Sequence, residues 1–296
     1  MEEVASGVYR IESDLGPRFM AQYLLLGADR TVLVDTGLAA TPDEVLAPAL
    51  SAAGVEPDLI IVSHADLDHS GGNARMRERY PGALFACHER DRRWIESNAA
   101  MLTENYRWHE LYGLDELGDE EQRNRLRQLG GDAPIDLGLA GGETIRIGPG
   151  RRFEVLHLPG HTFGHLGLWD PEYRVAIIID AALLDGIYDR AGNKLIPPRY
   201  YDAAAYRSTI RRIAALEPEL LLTAHYPPMT AAEARDFCDR SLAYVDAVDA
   251  LVREGVAAGE TRLRELTDRV DARLGPFPEI PTEIAAGVRS HLAALR

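Results

Sequence analysis

The sequence predicts an α/β fold in which two sheet-containing halves pack together with helices outside. Three observations predict it. Short, β-branched or apolar runs separated by Gly and Asp turns fill the first 40 residues, recur between helices up to residue 86 and resume at 143. A stretch over 89–131, rich in charge and helix formers, lies between them. From Thr230 onward the pattern is helical.

The elements follow in order. Val8 to Glu12, Gln22 to Leu26 and Thr31 to Val34 read as strands. Thr41-Pro42-Asp43-Glu44 reads as a helix start, with Thr41 as N-cap and Pro42 at the first helical position, and the helix ends near Gly54. Leu59 to Val62 is a buried strand, residues 73–80 a helix stopped by Pro81-Gly82, and Ala83 to Ala86 a strand. The 89–131 insert carries Trp94, Tyr106, Trp108 and Tyr112, which either pack between its helices or line a pocket. Strands resume at Glu143 to Ile147, Phe153 to Leu158, Leu166 to Trp169 and Val175 to Ile179. An amphipathic helix over 202–216 precedes the last clear strand, Leu220 to Thr223. Helices over 236–254, 261–274 and 284–295 close the chain.

With 296 residues, 46% of them hydrophobic and 27% charged, there is room for one large or two modest domains with a substantial core. The net charge of −15 argues against a nucleic-acid or anionic-membrane binder, which needs a basic surface. Two cysteines, Cys87 and Cys238, make no disulfide framework. No signal-peptide pattern and no membrane-length apolar run is visible, so a cytoplasmic location is expected.

The chemistry concentrates in Ser63-His64-Ala65-Asp66-Leu67-Asp68-His69-Ser70-Gly71-Gly72. Four side chains able to bind metal follow directly on an apolar strand. Burying so many polar groups is costly unless something satisfies them, and a metal pair does so. Three later strands repeat the pattern: Phe153 to Leu158 runs into Pro159-Gly160-His161-Thr162, Val175 to Ile179 into Asp180, and Leu220 to Thr223 into Ala224-His225. Loops at strand ends, held by a rigid sheet, are where catalytic groups sit.

These motifs, with Val34-Asp35-Thr36-Gly37, resemble the metallo-β-lactamase fold superfamily over roughly residues 5–228, nearest its hydroxyacylglutathione hydrolase and lactonase branch. The resemblance implies a four-layer αββα sandwich and two adjacent metal sites. His64, Asp66 and His161 would hold the first metal, Asp68, His69 and His225 the second, and Asp180 would bridge them. It implies a catalytic domain over 1–228 containing the 89–131 insert. The 229–296 tail then looks like a shortened winged-helix-like module with a packing or dimerisation role. Two divalent metals are the implied cofactors, zinc foremost.

One position departs from the pattern: the usual second histidine is Asp66. A carboxylate is a harder, charged donor, which moves preference toward iron or manganese. A related branch, the di-iron flavoproteins, carries Glu there, so a di-iron redox or oxygen-sensing protein is the alternative. Asp66 could also merely cap the helix that follows, leaving an enzyme with one metal.

The reaction the resemblance implies is hydrolysis of an ester, lactone or thioester by metal-activated hydroxide. Asp68 would accept or orient the proton. Tyr188 matches the neighbourhood of a tyrosine that helps bind the substrate oxyanion in lactonase-like members, and Arg199 at the pocket rim would meet an anionic substrate. Asp35 is expected to orient the ligand loop by hydrogen bonds. His165 is placed outside the ligands, His88 at the surface or behind the ligands, and His157 as structural; His109 and His291 carry no signal. No serine elbow is visible and the cysteines fall outside the motifs, which disfavours covalent catalysis. The partner is a small molecule, with neither nucleic acid nor membrane; a homodimer stays open. A non-enzymatic binding protein on the same scaffold is the third reading.

Overall fold

The computed structural model describes residues 1–296 except 117, 279–280 and 296. The first sheet runs in chain order through β1 (Glu2–Ala5), β2 (Val8–Leu15), β3 (Arg18–Leu26), β4 (Thr31–Val34), β5 (Leu59–Ile61), β6 (Leu84–His88) and β7 (Leu137–Leu139). The second contains β8 (Thr144–Gly148), β9 (Arg151–His157), β10 (Leu166–Asp170), β11 (Val175–Ile179), β14 (Leu220–Thr223) and β15 (Met229–Thr230), in the order β15-β14-β11-β10-β9-β8. A hairpin of β12 (Ile187–Tyr188) and β13 (Lys194–Ile196) follows β11 in the chain.

The helices are α1 (Ala47–Ala53), α2 (Leu67–Ser70), α3 (Asn73–Arg79), α4 (Arg92–Glu96), α5 (Asn98–Ala100), α6 (Asp119–Leu129), α7 (Ala203–Ala215), α8 (Ala231–Ala257), α9 (Leu263–Leu274) and α10 (Ile284–Ala293). Thr41 does not cap the helix it precedes. Its hydroxyl accepts from Leu38 N at 3.0 Å, and a wide turn, Pro42–Leu46, leads into α1.

The central strands are apolar on both faces because both faces are covered. Val32 and Val34 of β4 point into the core between the sheets, while Leu33 points out against α1 and α3. Ile177 and Ile179 of β11 join the inter-sheet core, and Ala176 and Ile178 face the helices outside. Leu222 and Leu221 of β14 divide the same way. Two sheets with one inner core and two outer ones are the expected αββα sandwich. The outer core of the second sheet contains Ile213 of α7, Val248 of α8, Leu266 of α9 and Val288 of α10, so the C-terminal helices share a core with the sheet. No helix among the described residues is long and apolar enough to cross a membrane.

Direction along the strands positions the site. β4 and β5 are parallel, so Asp35 and the Ser63–His69 segment leave the sheet at one edge. β11 and β14 are parallel, so Asp180 and His225 leave theirs at one edge too. β9 is antiparallel to β10, which is antiparallel to β11, so the His161 loop emerges beside Asp180. Tyr23 Oη donates to Thr223 O at 2.6 Å and Ser63 O accepts from Leu166 N at 2.8 Å, tying the two edges together.

Candidate metal centre

All seven predicted ligand positions meet at the bottom of one cavity of about 230 Å³ or directly behind it. His64, Asp66 and His161 form one group whose donor atoms lie within 4.8 Å of one another. Asp68, His69 and His225 form another, and His64, His69 and Asp180 connect the two.

Each imidazole is held through Nδ1. His69 Nδ1 donates to Asp35 Oδ2 at 2.8 Å. His161 Nδ1 donates to Arg199 O at 2.8 Å, and His225 Nδ1 to Phe19 O at 3.2 Å. His64 Nδ1 lies 2.9 Å from Ser63 Oγ, whose own proton goes to Asp35 Oδ2 at 2.8 Å, so the ring donates there as well. With Nδ1 engaged, each neutral ring turns the lone pair of Nε2 inward.

Those lone pairs face carboxylates. His161 Nε2 and His64 Nε2 lie 3.0 and 3.2 Å from Asp66 Oδ2. His225 Nε2 and His69 Nε2 lie 3.2 and 3.4 Å from Asp180 Oδ2, and His225 Nε2 is 3.6 Å from Asp68 Oδ2. Acceptors this close repel unless a proton or a metal cation lies between them. Donors around a tetrahedral ion with bonds of about 2.0–2.2 Å stand roughly 3.4 Å apart, which these separations match. His69 Nε2 and Asp180 Oδ1 are moreover buried without a hydrogen-bond partner. Imidazole and carboxylate together suit zinc, iron or manganese. The residues fit a divalent cation.

The electrostatics agree. Burial disfavours a charge on His69, yet Asp68, Asp35 and Asp180 together raise its pKa well above the ordinary value. His225 is raised against the effect of burial by Asp180. Burial also opposes the charge of Asp180, but His225 and His69 hold its carboxyl well below the usual range. His64, buried beside His69, is depressed to about 4 and stays neutral.

Backbone geometry supports the strand ends. Asp35 sits at φ +67° and Ile179, directly before Asp180, at φ +51°. A β-branched residue with such a φ is strained, and such residues cluster at functional sites. Gly160, at φ +136°, lets the His161 loop lie on α7: a Cβ there would come within 2.4 Å of Tyr206 Cα.

Asp35 does orient the ligand loop. Besides His69 and Ser63 Oγ it accepts from Ser63 N at 2.7 Å. His165 stands behind the ligands, stacked on His64 with ring centroids 4.6 Å apart, and its Nε2 accepts from Asp180 N at 3.2 Å. Asp66 begins α2 but makes no side-chain cap. Its Oδ2 faces His64 and His161 and accepts from Arg199, and its Oδ1 accepts from Tyr106 Oη at 3.0 Å. Burial opposes its charge, and Arg199 above all holds its pKa well below the usual carboxylate range.

Two expectations place residues differently from the structure. Arg199 lines the cavity, but it is 5% exposed and its guanidinium is engaged by Asp66 rather than open to a substrate. Tyr188 does not line the cavity, which its neighbour Ile187 does, and its hydroxyl donates to Asp185 at 2.7 Å.

Sequence reasoning missed Asp91 and Asn105, and it left Tyr106 open between packing and a pocket, which it lines. Asp91, fully buried, accepts from Ala65 N at 3.2 Å, from Gly164 N at 2.7 Å and from Thr162 Oγ1, so one carboxylate ties the first ligand loop to the third. Asn105 Nδ2 donates to Ala65 O at 2.7 Å, and Tyr106 Oη accepts from Leu67 N at 2.8 Å. All three come from the 89–131 insert, where no local pattern marks them; the aromatics of that segment were the only signal.

The profile of the metallo-beta-lactamase superfamily matches residues 15–225. The chain belongs to this superfamily. Among superfamily relatives, hydroxyacylglutathione hydrolase GloC of Haemophilus influenzae is 27% identical over 129 residues, 44% of this chain and 51% of that protein. Acyl-coenzyme A thioesterase MBLAC2 of Gallus gallus is 28% identical over 181 residues, 55% of this chain and 59% of that protein. The chain thus spans little more than half the length of these curated relatives. The crystal structure of a metallo-beta-lactamase family protein from Thermus thermophilus superposes with a TM-score of 0.72 at 24% identity, covering 99% of this chain and 94% of that one. That likeness shows the superfamily fold over nearly the whole chain, C-terminal helices included.

Proposed function

We propose that this chain is a metal-dependent hydrolase that cleaves an ester, lactone or thioester bond, with His64, Asp66, His161 and Asp180 holding one divalent cation and Asp68, His69, His225 and Asp180 a second. The observation that carries the reading is the common orientation of the four imidazoles. Each is held at Nδ1 and offers Nε2 to the same small volume as three carboxylates.

When bound, the cations lower the pKa of a water from about 15.7 toward 7 and polarise the scissile carbonyl. The chain does the rest. Asp35, Ser63 and the carbonyls of Phe19 and Arg199 hold the imidazoles in register. Asp68, half-buried on the cavity wall, would accept the proton of the attacking water and hold it oriented. Leu15, Leu67, Leu183, Ile187 and Ile196 make an apolar wall beside the cluster that seats the acyl group and excludes bulk water. A volume near 230 Å³ suits a short acyl chain, with the leaving group extending outward. The two relatives named above, a hydroxyacylglutathione hydrolase and an acyl-coenzyme A thioesterase, favour a thioester within this class. The di-iron alternative drew on the charge and the hardness of Asp66 and on the Glu that di-iron flavoproteins carry there; Arg199 offsets the charge, and the two relatives, a hydrolase and a thioesterase by name, favour hydrolysis.

The test is elemental analysis of protein purified without chelators, coupled to a panel of ester, lactone, thioester and phosphoester substrates. Zinc with turnover of an acyl substrate is expected. Iron with a visible absorbance that responds to oxygen overturns the reading. Asp180→Ala should lose metal and turnover together; a variant that retains both metals and full turnover refutes the ligand assignment.

A further inference from the structure

We propose that Arg199 is a built-in cation that makes the two half-sites unequal. The Asp68, His69, His225 and Asp180 half takes its ion first and tightly; the His64, Asp66 and His161 half loads second and more weakly. This rests on the reading of the cluster as a metal centre.

The Arg199 guanidinium donates to Asp66 Oδ2, the one oxygen that also faces His64 Nε2 at 3.2 Å and His161 Nε2 at 3.0 Å. It cannot readily leave. Its other arm lies 3.4 Å from the carboxylate of Glu283, and the rings of Tyr201 and Tyr106 lie 5.5 and 5.9 Å from it. The second oxygen of Asp66 is engaged by Tyr106 Oη. A guanidinium stays charged at every workable pH.

Any ion held by His64, Asp66 and His161 therefore shares its carboxylate with a fixed positive charge in a buried, weakly screened place. Among the described residues, the ion pairs given for Asp68 and Asp180 are with imidazoles alone. Asp180 serves both halves, so what separates them is Asp66, engaged by a guanidinium, against Asp68, paired with imidazoles. Arg199 also acts through its backbone, since its carbonyl orients His161. Shortening the side chain leaves that carbonyl in place, so the two roles can be separated.

Chelator-stripped protein is titrated with Zn²⁺ at pH 8 against a chromophoric chelator, and bound metal is counted by elemental analysis. Wild type should bind two equivalents in steps at least tenfold apart. His161→Ala should lose the weak step and keep the tight one. Arg199→Met should strengthen the weak step at least tenfold, while Arg199→Lys, which keeps the charge, should leave it weak. If Arg199→Met does not fold, the double variant Asp66→His, Arg199→Met removes both charges of the pair together and should bind both ions tightly. Two equal steps in wild type, or an Arg199→Met or double variant whose weak step is unchanged, overturn the proposal and leave the hydrolase reading standing. Failure to bind any ion overturns both.

Discussion

Asp35 Oδ2 accepts the Nδ1 proton of His69 at 2.8 Å from a backbone held at φ +67°. The same oxygen accepts from Ser63 Oγ, which in turn accepts from His64 Nδ1. One buried carboxylate at the end of β4 thus sets the tautomer of an imidazole in each half of the cluster. The strain at Asp35 is tolerated because Ser63 N, Ser63 Oγ and His69 hold its carboxylate from three directions.

Asp35→Asn should therefore weaken metal binding while the fold persists. An amide has one acceptor oxygen where three donors now converge, so His69 or Ser63 loses its partner. Loss of such an outer partner costs about 10–100-fold in metal affinity. Chelator competition measures this, with circular dichroism as the control for folding. An unchanged affinity would show that Asp35 has no part in orienting the ligands.

Asp91→Ala should destabilise the protein by about 3 kcal/mol, because it strands Ala65 N, Gly164 N and Thr162 Oγ1 in the interior. Burial raises the pKa of Asp91 against the lowering effect of Thr162 Oγ1, Gly164 N and Ala65 N. Urea unfolding checks the value through a lower midpoint at constant slope. A loss under about 1 kcal/mol would mean that water replaces the carboxylate.

His291 makes stability fall in acid. Burial lowers its pKa from 6.5 to about 4, although Asp249, 3.0 Å from Nδ1, pulls the other way. The unfolded chain takes up a proton near pH 6.5, whereas the folded chain refuses it until about pH 4. The contribution is complete above pH 6.5 and is lost as pH falls toward 4, by up to about 3 kcal/mol. The stability difference between wild type and His291→Gln should shrink over that window. A difference that stays constant from pH 7 to pH 4 contradicts the assignment.

Leu266→Ala, at a fully buried position in α9, should cost about 2–5 kcal/mol and lower the single unfolding transition of the whole chain. The reason is that Leu266 belongs to the same apolar cluster as Leu156 of β9 and Ile178 of β11. An early, separate transition in the variant would show instead that the C-terminal helices unfold as an independent unit.

Much of the architecture was legible along the chain. Apolar runs such as Val175–Ile179 and Leu220–Thr223 announce strands covered on both faces, and each ends one or two residues before Asp180 or His225. Strand periodicity and ligand type are local properties, so they can be read locally. Marginal elements were not: β1 and β7 have half or more of their residues exposed and no strong alternation, and they exist because a neighbouring strand offers them a ladder.

The sequence alone determined the fold class, the superfamily and the convergence of His64, Asp66, Asp68, His69, His161, Asp180 and His225. Only the tertiary structure decided what surrounds them. It put Asp91 and Tyr106 of the insert behind the ligand loops, turned Tyr188 toward Asp185, and took Arg199 from the rim to a buried pair with Asp66. The division has a physical cause. Ligands are tied to strand ends by covalent spacing, whereas side chains such as Asp91 and Arg199 meet their partners across 26 and 133 positions and are chosen by burial and by the need of every buried charge for a partner.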